Sequence, residues 1–121
     1  MRITNPSHEP AHRSGSDKGS GALWNNNGNG KWPLELADNP TGEWNRMYVR
    51  MVGPYVRVVL NDKLVVDDAK LENFFDRQAE PFAEGRIHLQ THGSETRFKR
   101  LLLRKIDAAE SAKLLEQIES K

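Results

Sequence analysis

Residues 45–66, NRMYVRMVGPYVRVVLNDKLVV, decide the fold class because they alternate and turn as an antiparallel sheet requires. Apolar side chains alternate with arginine and tyrosine in the first segment, and the face predicted to enter a core carries Met47, Val49 and Met51. Gly53-Pro54 turns the chain, and Asn61-Asp62 lies where a two-residue hairpin turn is expected. The sequence therefore predicts a three-stranded antiparallel meander.

The residues before this meander are rich in turn formers. Residues 5–20 predict an irregular loop, and Gly21 to Trp24 predict a short strand. The run NNNGNGK at residues 25–31 then tolerates left-handed backbone conformations. Loops of this length usually form a rim around a site.

A second β-rich stretch, GRIHLQTHGSETRFKRLLLRKI, occupies residues 85–106. Residues 86–92 predict a half-buried strand whose polar face carries His88, Gln90 and His92. Residues 96–106 predict its hairpin partner, with a bulge near Lys99-Arg100 where the alternation changes parity. Residues 107–120 predict a helix, since Asp107 and Glu110 fit a capping box.

Composition restricts the class of protein. A chain of 121 residues suits one domain, but 36% hydrophobic residues with 29% charged residues is polar for a chain that closes its own sandwich. The net charge of +1 supports no general attraction to nucleic acid, and the basic cluster at residues 97–105 is read as a solvated strand face. The absence of cysteine excludes disulfides and thiolate sites. No apolar run is long enough for a membrane span, and no signal peptide is recognisable.

Four ordered segments resemble one family: GEWN at residues 42–45, VRVVLNDKLVVD at 56–67, GRIHLQTHG at 85–93, and residues 98–106. They are similar to the C-terminal half of the 3-keto-disaccharide hydrolase domain, whose matching segments include G-E-W-N, L-N-G with a V-V-D return, and G-x-I-x-L-Q-D-H-G. Residues 3–24 are similar to the family's loop that contains a histidine. Asp62 replaces the family's turn glycine, and Thr91 replaces the acidic residue before His92.

The resemblance implies an all-β, concanavalin-like or jelly-roll antiparallel β-sandwich over residues 1–106, followed by the C-terminal helix at 107–121. It covers only part of the family domain, so we expect a fragment whose sandwich is incomplete. For a full-length protein the resemblance implies a secreted or periplasmic location.

The family's chemistry requires a base that removes the proton beside a 3-keto group, and donors that stabilise the enolate. The resemblance gives these catalytic roles to His92 and Gln90, while His88 stands where the family usually has a small residue. A histidine suits proton transfer near neutral pH. The alternative for this face is a solvent-facing strand.

Two further groups are candidates for binding. His8 matches the family's loop histidine and is a candidate ligand for a divalent metal cation, whereas His12 has no counterpart there. Trp24 and Trp32 flank the asparagine-rich run, and aromatic faces stack on sugar rings while Asn26 offers donors and acceptors to hydroxyls. These three residues are the predicted substrate-binding residues.

Three functions stay open at this point. The first is cleavage of an oxidised glycoside by a glycoside hydrolase or lyase-like enzyme. The second is a non-catalytic carbohydrate-binding or protein-interaction module of the same fold. The third is an inactive fragment that is stable only as a homo-oligomer with strand exchange, because an incomplete sandwich leaves unpaired edges.

Overall fold

A computed structural model describes residues 2–3, 18–91 and 93–121. Within these residues the chain forms strands β1 (Arg2–Ile3), β2 (Met47–Val52), β3 (Tyr55–Leu60), β4 (Lys63–Lys70) and β5 (Thr96–Arg97), and helix α1 (Ala108–Glu119). The strands form an antiparallel three-stranded sheet in the order β2-β3-β4, and an antiparallel pair of β1 with β5. The secondary structure is thus mainly β with one C-terminal helix, consistent with the predicted all-β class.

The predicted meander is confirmed, and both of its turns have the expected chemistry. Val52 pairs with Tyr55 around Gly53-Pro54, where Gly53 has a φ of 54°. Leu60 pairs with Lys63 around Asn61 and Asp62, whose φ values are 50° and 68°. Two successive positive φ values match the right-handed twist of a two-residue hairpin, and asparagine and aspartate tolerate them.

Two register shifts in the pairing of β4 determine which of its side chains are buried. The pairing with β3 shifts register on either side of Val58, so β4 carries extra residues relative to its partner. As a result the consecutive residues Val65 and Val66 are both buried. Asp68 lies in the second irregular region and has a φ of 47°.

One face of the sheet holds the main core. Its buried members are Val56, Val58, Leu60, Val65, Val66 and Ala69 from the sheet and Ala37 from the preceding loop, with Leu23, Met47 and Leu71 packed against them. Each fully buried aliphatic side chain of this size contributes about 1.5–3 kcal/mol. The core is therefore closed by loop residues rather than by a second sheet within the described part of the chain.

The loop at residues 18–37 approaches the sheet closely enough to need glycine at two positions. A Cβ on Gly21 would lie 3.0 Å from Val65 Cγ2, and one on Gly30 would lie 2.9 Å from Ala69 Cβ. Both glycines have positive φ values. The predicted strand at Gly21 to Trp24 is wrong, because this segment forms turns and bends over the core.

The opposite face of the sheet lies beneath α1. Asp107 caps the helix, since its side chain accepts a hydrogen bond of 2.8 Å from the Glu110 N–H. The predicted helix and its N-cap are confirmed, although the Glu110 carboxylate binds Arg104 instead of completing a capping box. Ile118 of α1 and Val52 of β2 are buried.

The downstream hairpin prediction is wrong. Residues 86–91 form no strand, and Thr96–Arg97 pairs with Arg2–Ile3 instead. The expected bulge is also absent, since β5 ends at Arg97 and Arg100 adopts a φ of 54° outside any strand.

The predicted core face of β2 is only partly correct. Met47 packs against the core, but Val49 and Met51 are about half exposed, although their partners Val58 and Val56 are buried. Among the described residues, no helix is long and apolar enough to cross a membrane.

Candidate functional site

Asn26 anchors the asparagine loop, which we define as residues 25–31. Its side chain is only 1% exposed, and its Nδ2 donates hydrogen bonds of 3.0 Å to the carbonyls of Asn29 and Lys70. Its Oδ1 accepts a hydrogen bond of 3.0 Å from the Glu72 N–H. The carboxamide therefore binds protein groups in this structure and fixes the loop to the end of β4, while its predicted contact with substrate stays a prediction.

Glu72 holds the same loop from outside. Its carboxylate accepts hydrogen bonds from the backbone N–H groups of Asn27 at 3.0 and 3.1 Å and of Gly28 at 2.9 Å. Arg77 donates to the same carboxylate at 3.0 Å. The backbone N–H of Asn27, followed by that of Gly28, holds the pKa of Glu72 below its ordinary value because each stabilises the ionised form.

Trp24, Lys31 and Trp32 form the tryptophan cluster at the base of this loop. The two rings meet edge to face with centroids 5.5 Å apart, and Lys31 Nζ lies 4.9 Å from one centroid and 5.2 Å from the other. Lys31 Nζ also donates a hydrogen bond of 3.0 Å to the Trp24 carbonyl. Trp24 is 54% exposed and Trp32 is 40% exposed. The cluster thus presents aromatic surface and one cation to solvent.

A shallow cleft of about 340 Å³ lies beside the asparagine loop. It is lined by residues at the end of β4 and in the following loop, together with Asn29. Its charged groups are largely paired with one another, Glu72 with Arg77 and Lys70 with Glu80. The cleft walls are therefore polar, and their positive and negative side chains neutralise one another in ion pairs.

Gln90 lies in the extended segment before Gly93. Its side chain is exposed, as is that of His88. Within the described part of the chain, no hydrogen bond joins Gln90 to Trp24, Asn26 or Trp32. The structure thus brings the three predicted sugar-binding residues into one loop region but shows no direct contact between them and Gln90.

The remaining predicted site residues are histidines that lie outside the described part of the chain. His92, the second predicted catalytic residue, and His8, the predicted metal ligand, lie outside the described residues, as does His12. Among residues 18–91 and 93–121, no group of three or more histidine, aspartate or glutamate side chains could hold a metal ion.

Sequence reasoning missed two residues that shape this region. Lys31 could have been recognised, since a cation next to Trp32 in a turn-rich run can lie over an aromatic face. Glu72 could not, because its partners are backbone N–H groups 44 and 45 residues away.

The fold and this loop region define a mainly β protein with exposed aromatic and amide groups beside a polar cleft. A family model for the 3-keto-alpha-glucoside-1,2-lyase-like domain matches residues 3–104. The match covers most of the chain, and the chain belongs to this family. No curated protein and no solved structure matches this chain. Family membership supports a carbohydrate-related function.

Proposed function

We propose that this protein acts on 3-keto glycosides, including 3-keto-disaccharides, and cleaves the glycosidic bond by proton abstraction beside the keto group. The observation that carries the proposal is the family match over residues 3–104, which includes the segment with Gln90 and His92. The family description names a 1,2-lyase-like domain, and that chemistry fits elimination across C1 and C2 of the sugar.

The reaction begins at the hydrogen on C2, which is acidic because the C3 ketone stabilises the resulting enolate. His92 is the proposed base, since a neutral imidazole accepts a proton near pH 7. Gln90 is the proposed donor to the enolate oxygen, because its amide N–H can donate but its side chain cannot act as a base. Collapse of the enolate breaks the bond from C1 to the leaving oxygen, which takes the proton that His92 removed from C2, and water then adds to the C1–C2 double bond.

The tryptophan cluster is the proposed sugar-binding rim. Its aromatic surface is exposed, and Asn26 holds the intervening loop in one conformation through three hydrogen bonds. Rigid aromatic surface loses little conformational entropy when a ligand binds. Asn26 itself enters the proposal as a residue that positions this rim.

The fold proposal is finer than the observed sheet. We propose that residues 1–106 belong to a concanavalin-like or jelly-roll β-sandwich to which α1 is appended. The exposure of Val49 and Met51 supports this, because they share a face with the buried Val58 and Val56 and would be covered by a second sheet.

The test is incubation of the purified protein with a synthetic 3-keto glucoside, with and without added divalent cation. We expect release of the C1 leaving group, and a loss of at least 100-fold in kcat for His92→Ala, the usual contribution of a general base. Gln90→Ala should lower kcat by about tenfold or more, because the enolate loses a donor.

His88→Ala is the matched control, since His88 is an exposed histidine in the same segment as Gln90 and has no assigned role. It should keep kcat within about twofold of the wild type. Turnover that is unchanged in His92→Ala would show that His92 is not the base. Absence of turnover under every condition would refute the proposed enzymatic activity.

The second candidate function is non-catalytic carbohydrate binding. It is favoured by the tryptophan cluster, which is exposed, and by Thr91, which stands where the family has an acidic residue. Saturable binding of a saccharide without turnover would support this function over the first.

A further inference from the structure

Residues 98–106 lie outside every strand and helix, and the three leucines at their centre are exposed. We define residues 98–106, FKRLLLRKI, as the leucine segment. Leu101, Leu102 and Leu103 are 64%, 95% and 83% exposed. In an extended chain, successive side chains point to opposite sides. Phe98 and Ile106 are half-buried and Lys99 Nζ lies 4.0 Å from the Trp44 ring centroid, so the exposed apolar surface of the segment consists of its three leucines.

The backbone of the leucine segment also has no partner within the described part of the chain. No backbone N–H or carbonyl of residues 98–106 hydrogen-bonds to another residue that the structure describes, and the segment is outside every strand. Residues 86–91 share this condition, since they form no strand and expose Ile87 and Leu89. Two stretches with strand-like sequences thus have no backbone partner among the residues that the structure describes.

The occupant of this surface must therefore do two things. It must cover apolar side chains on both sides of an extended segment, and it must supply backbone donors and acceptors along its edge. A lipid surface could cover only one side and offers no ladder of backbone groups. A polypeptide strand provides both, so the surface fits a protein partner.

The area of the exposed apolar side chains suits a second copy of this chain. Ile87, Leu89 and the three leucines together expose roughly 350–400 Å² of apolar surface per chain, if each fully exposed side chain presents about 100 Å². Two copies would bury about twice that. Because about 57% of a protein interface is apolar, the total corresponds to roughly 1,300 Å², within the range of stable complexes.

The sheet itself is less available for this pairing. Loop residues already bind the carbonyls of β4, with the Leu34 N–H donating to Val65 at 2.9 Å and Asn26 Nδ2 to Lys70 at 3.0 Å. β2 is the other edge strand, but it carries Arg50 and directly follows Arg46, and these arginines match poorly with a segment that is itself basic. Residues 86–91 carry a single arginine and are the better partner.

We propose that this protein forms a homodimer by reciprocal strand exchange, in which the leucine segment of one copy pairs antiparallel with residues 86–91 of the other. The contact is isologous, because each copy donates both segments. It buries Ile87 and Leu89 against the partner's leucines. The proposal does not depend on the reaction proposed above, since it concerns association alone.

The first test is sedimentation velocity of the wild type and of Leu102→Asp at protein concentrations from about 1 to about 100 μM. These concentrations span the dissociation constants expected of an interface of modest affinity. The wild type should dimerise as concentration rises. Leu102→Asp should raise the dissociation constant at least tenfold, because a carboxylate would enter an apolar contact. Leu34→Asp is the control, since Leu34 is an exposed leucine, at 64%, that lies in the loop over the core and outside the leucine segment.

The second test uses the absence of cysteine from this chain, which makes introduced thiols the only reactive ones. Leu89→Cys and Leu103→Cys proteins are mixed and treated with a short bis-maleimide linker. We expect cross-linked pairs in the mixture, and far fewer when Leu34→Cys replaces Leu103→Cys.

Three results would overturn the proposal. One is a wild type that stays monomeric at every concentration. Another is a doubly substituted Leu89→Cys/Leu103→Cys chain that cross-links only within itself, since the two segments would then pair in one copy. The third is a monomer that binds vesicles containing phosphatidylserine through Leu102, which would assign the surface to a membrane.

Discussion

The Asn26 side chain donates a hydrogen bond of 3.0 Å to the carbonyl of Lys70, which lies 44 residues further along the chain. This contact joins the asparagine loop to the last residue of β4, and the Glu72 N–H donates to the same carboxamide two residues later. The sheet edge formed by β4 is thereby covered by loop residues, and the tryptophan cluster is held beside it.

Replacement of Asn26 should destabilise the fold. Asn26→Ala removes three hydrogen bonds and leaves the Lys70 carbonyl and the Glu72 N–H without their partner. We expect the free energy of unfolding to fall by about 2–4 kcal/mol, measured by urea denaturation. Asn27→Ala is the control, because exposed Asn27 donates hydrogen bonds through its backbone N–H, which the substitution keeps. This variant should change the free energy of unfolding by about 0.5 kcal/mol or less. Equal losses in the two variants would contradict the anchoring role.

Asp68 should make stability depend on pH. Its side chain is 4% exposed and contacts Arg50 and Lys121 at 2.7 Å each. Burial raises the pKa of Asp68, but hydrogen bonds from Lys121 and Arg50 outweigh burial and hold this pKa below its ordinary value. Because the folded pKa is the lower one, Asp68 stabilises the fold above the unfolded pKa of about 3.9, and this contribution is lost as pH falls through the folded value.

Asp68→Asn keeps a residue that tolerates the positive φ while removing the charge. At pH 7 it should lower the free energy of unfolding by about 1–3 kcal/mol, and the difference from wild type should shrink as pH falls below the unfolded pKa and through the lower folded pKa. Chemical denaturation across this pH range measures the effect. Asp67→Asn, at a half-exposed carboxylate, should cost less than about 1 kcal/mol. A difference from wild type that stayed constant with pH would argue against an ionic role for Asp68.

The hairpin turn between β3 and β4 should be improved by glycine at its second position. Asp62 has a φ of 68°, a conformation that costs an L-residue roughly 1–2 kcal/mol and glycine little. Asp62→Gly should therefore raise the thermal midpoint, with a gain of up to about 1 kcal/mol after the larger entropy of the unfolded chain is counted. Lys63→Gly, one residue later in β4, should lower stability instead. A loss of stability in Asp62→Gly would show that the Asp62 side chain makes a contribution of its own.

The tryptophan cluster should govern saccharide affinity. Trp32→Ala removes half of the exposed aromatic pair and should weaken binding of a saccharide ligand by about tenfold, equivalent to about 1.4 kcal/mol. Titration calorimetry measures the change. Phe75→Ala is the control, since Phe75 is an exposed aromatic outside the cluster, and affinity should not change. The same loss in both variants would point to a general effect on folding.

Several elements could be predicted because their causes are local. Asn61 and Asp62 tolerate left-handed conformations, and Asp107 accepts a hydrogen bond from a residue three positions away. Pairing of β2 with β3 follows from alternation around a tight turn. The predicted loop around Trp24 and Trp32 was also correct in its location, although the short strand at its start was not.

The errors concern features that need distant partners. Residues 86–91 alternate as a strand does, yet alternation does not provide a neighbouring strand, and none pairs with them in the described chain. Val49 faces the same side as the buried Val58, but its burial depends on a layer above it. The hydrogen bonds of the Asn26 carboxamide to Lys70 and Glu72 likewise could not be predicted, because these partners are 44 and 46 residues away.

The amino-acid sequence by itself determined the meander from Met47 to Lys70, the helix that begins after Asp107, and membership of the family. These depend on backbone preferences, side-chain alternation and local capping, which act over a few residues. Only the tertiary structure decided that loop residues close the core, that Glu72 and Asn26 fix the asparagine loop, and that Leu101 to Leu103 lie exposed. Burial and long-range hydrogen bonds depend on which parts of the chain meet in space, and spacing along the sequence does not specify this.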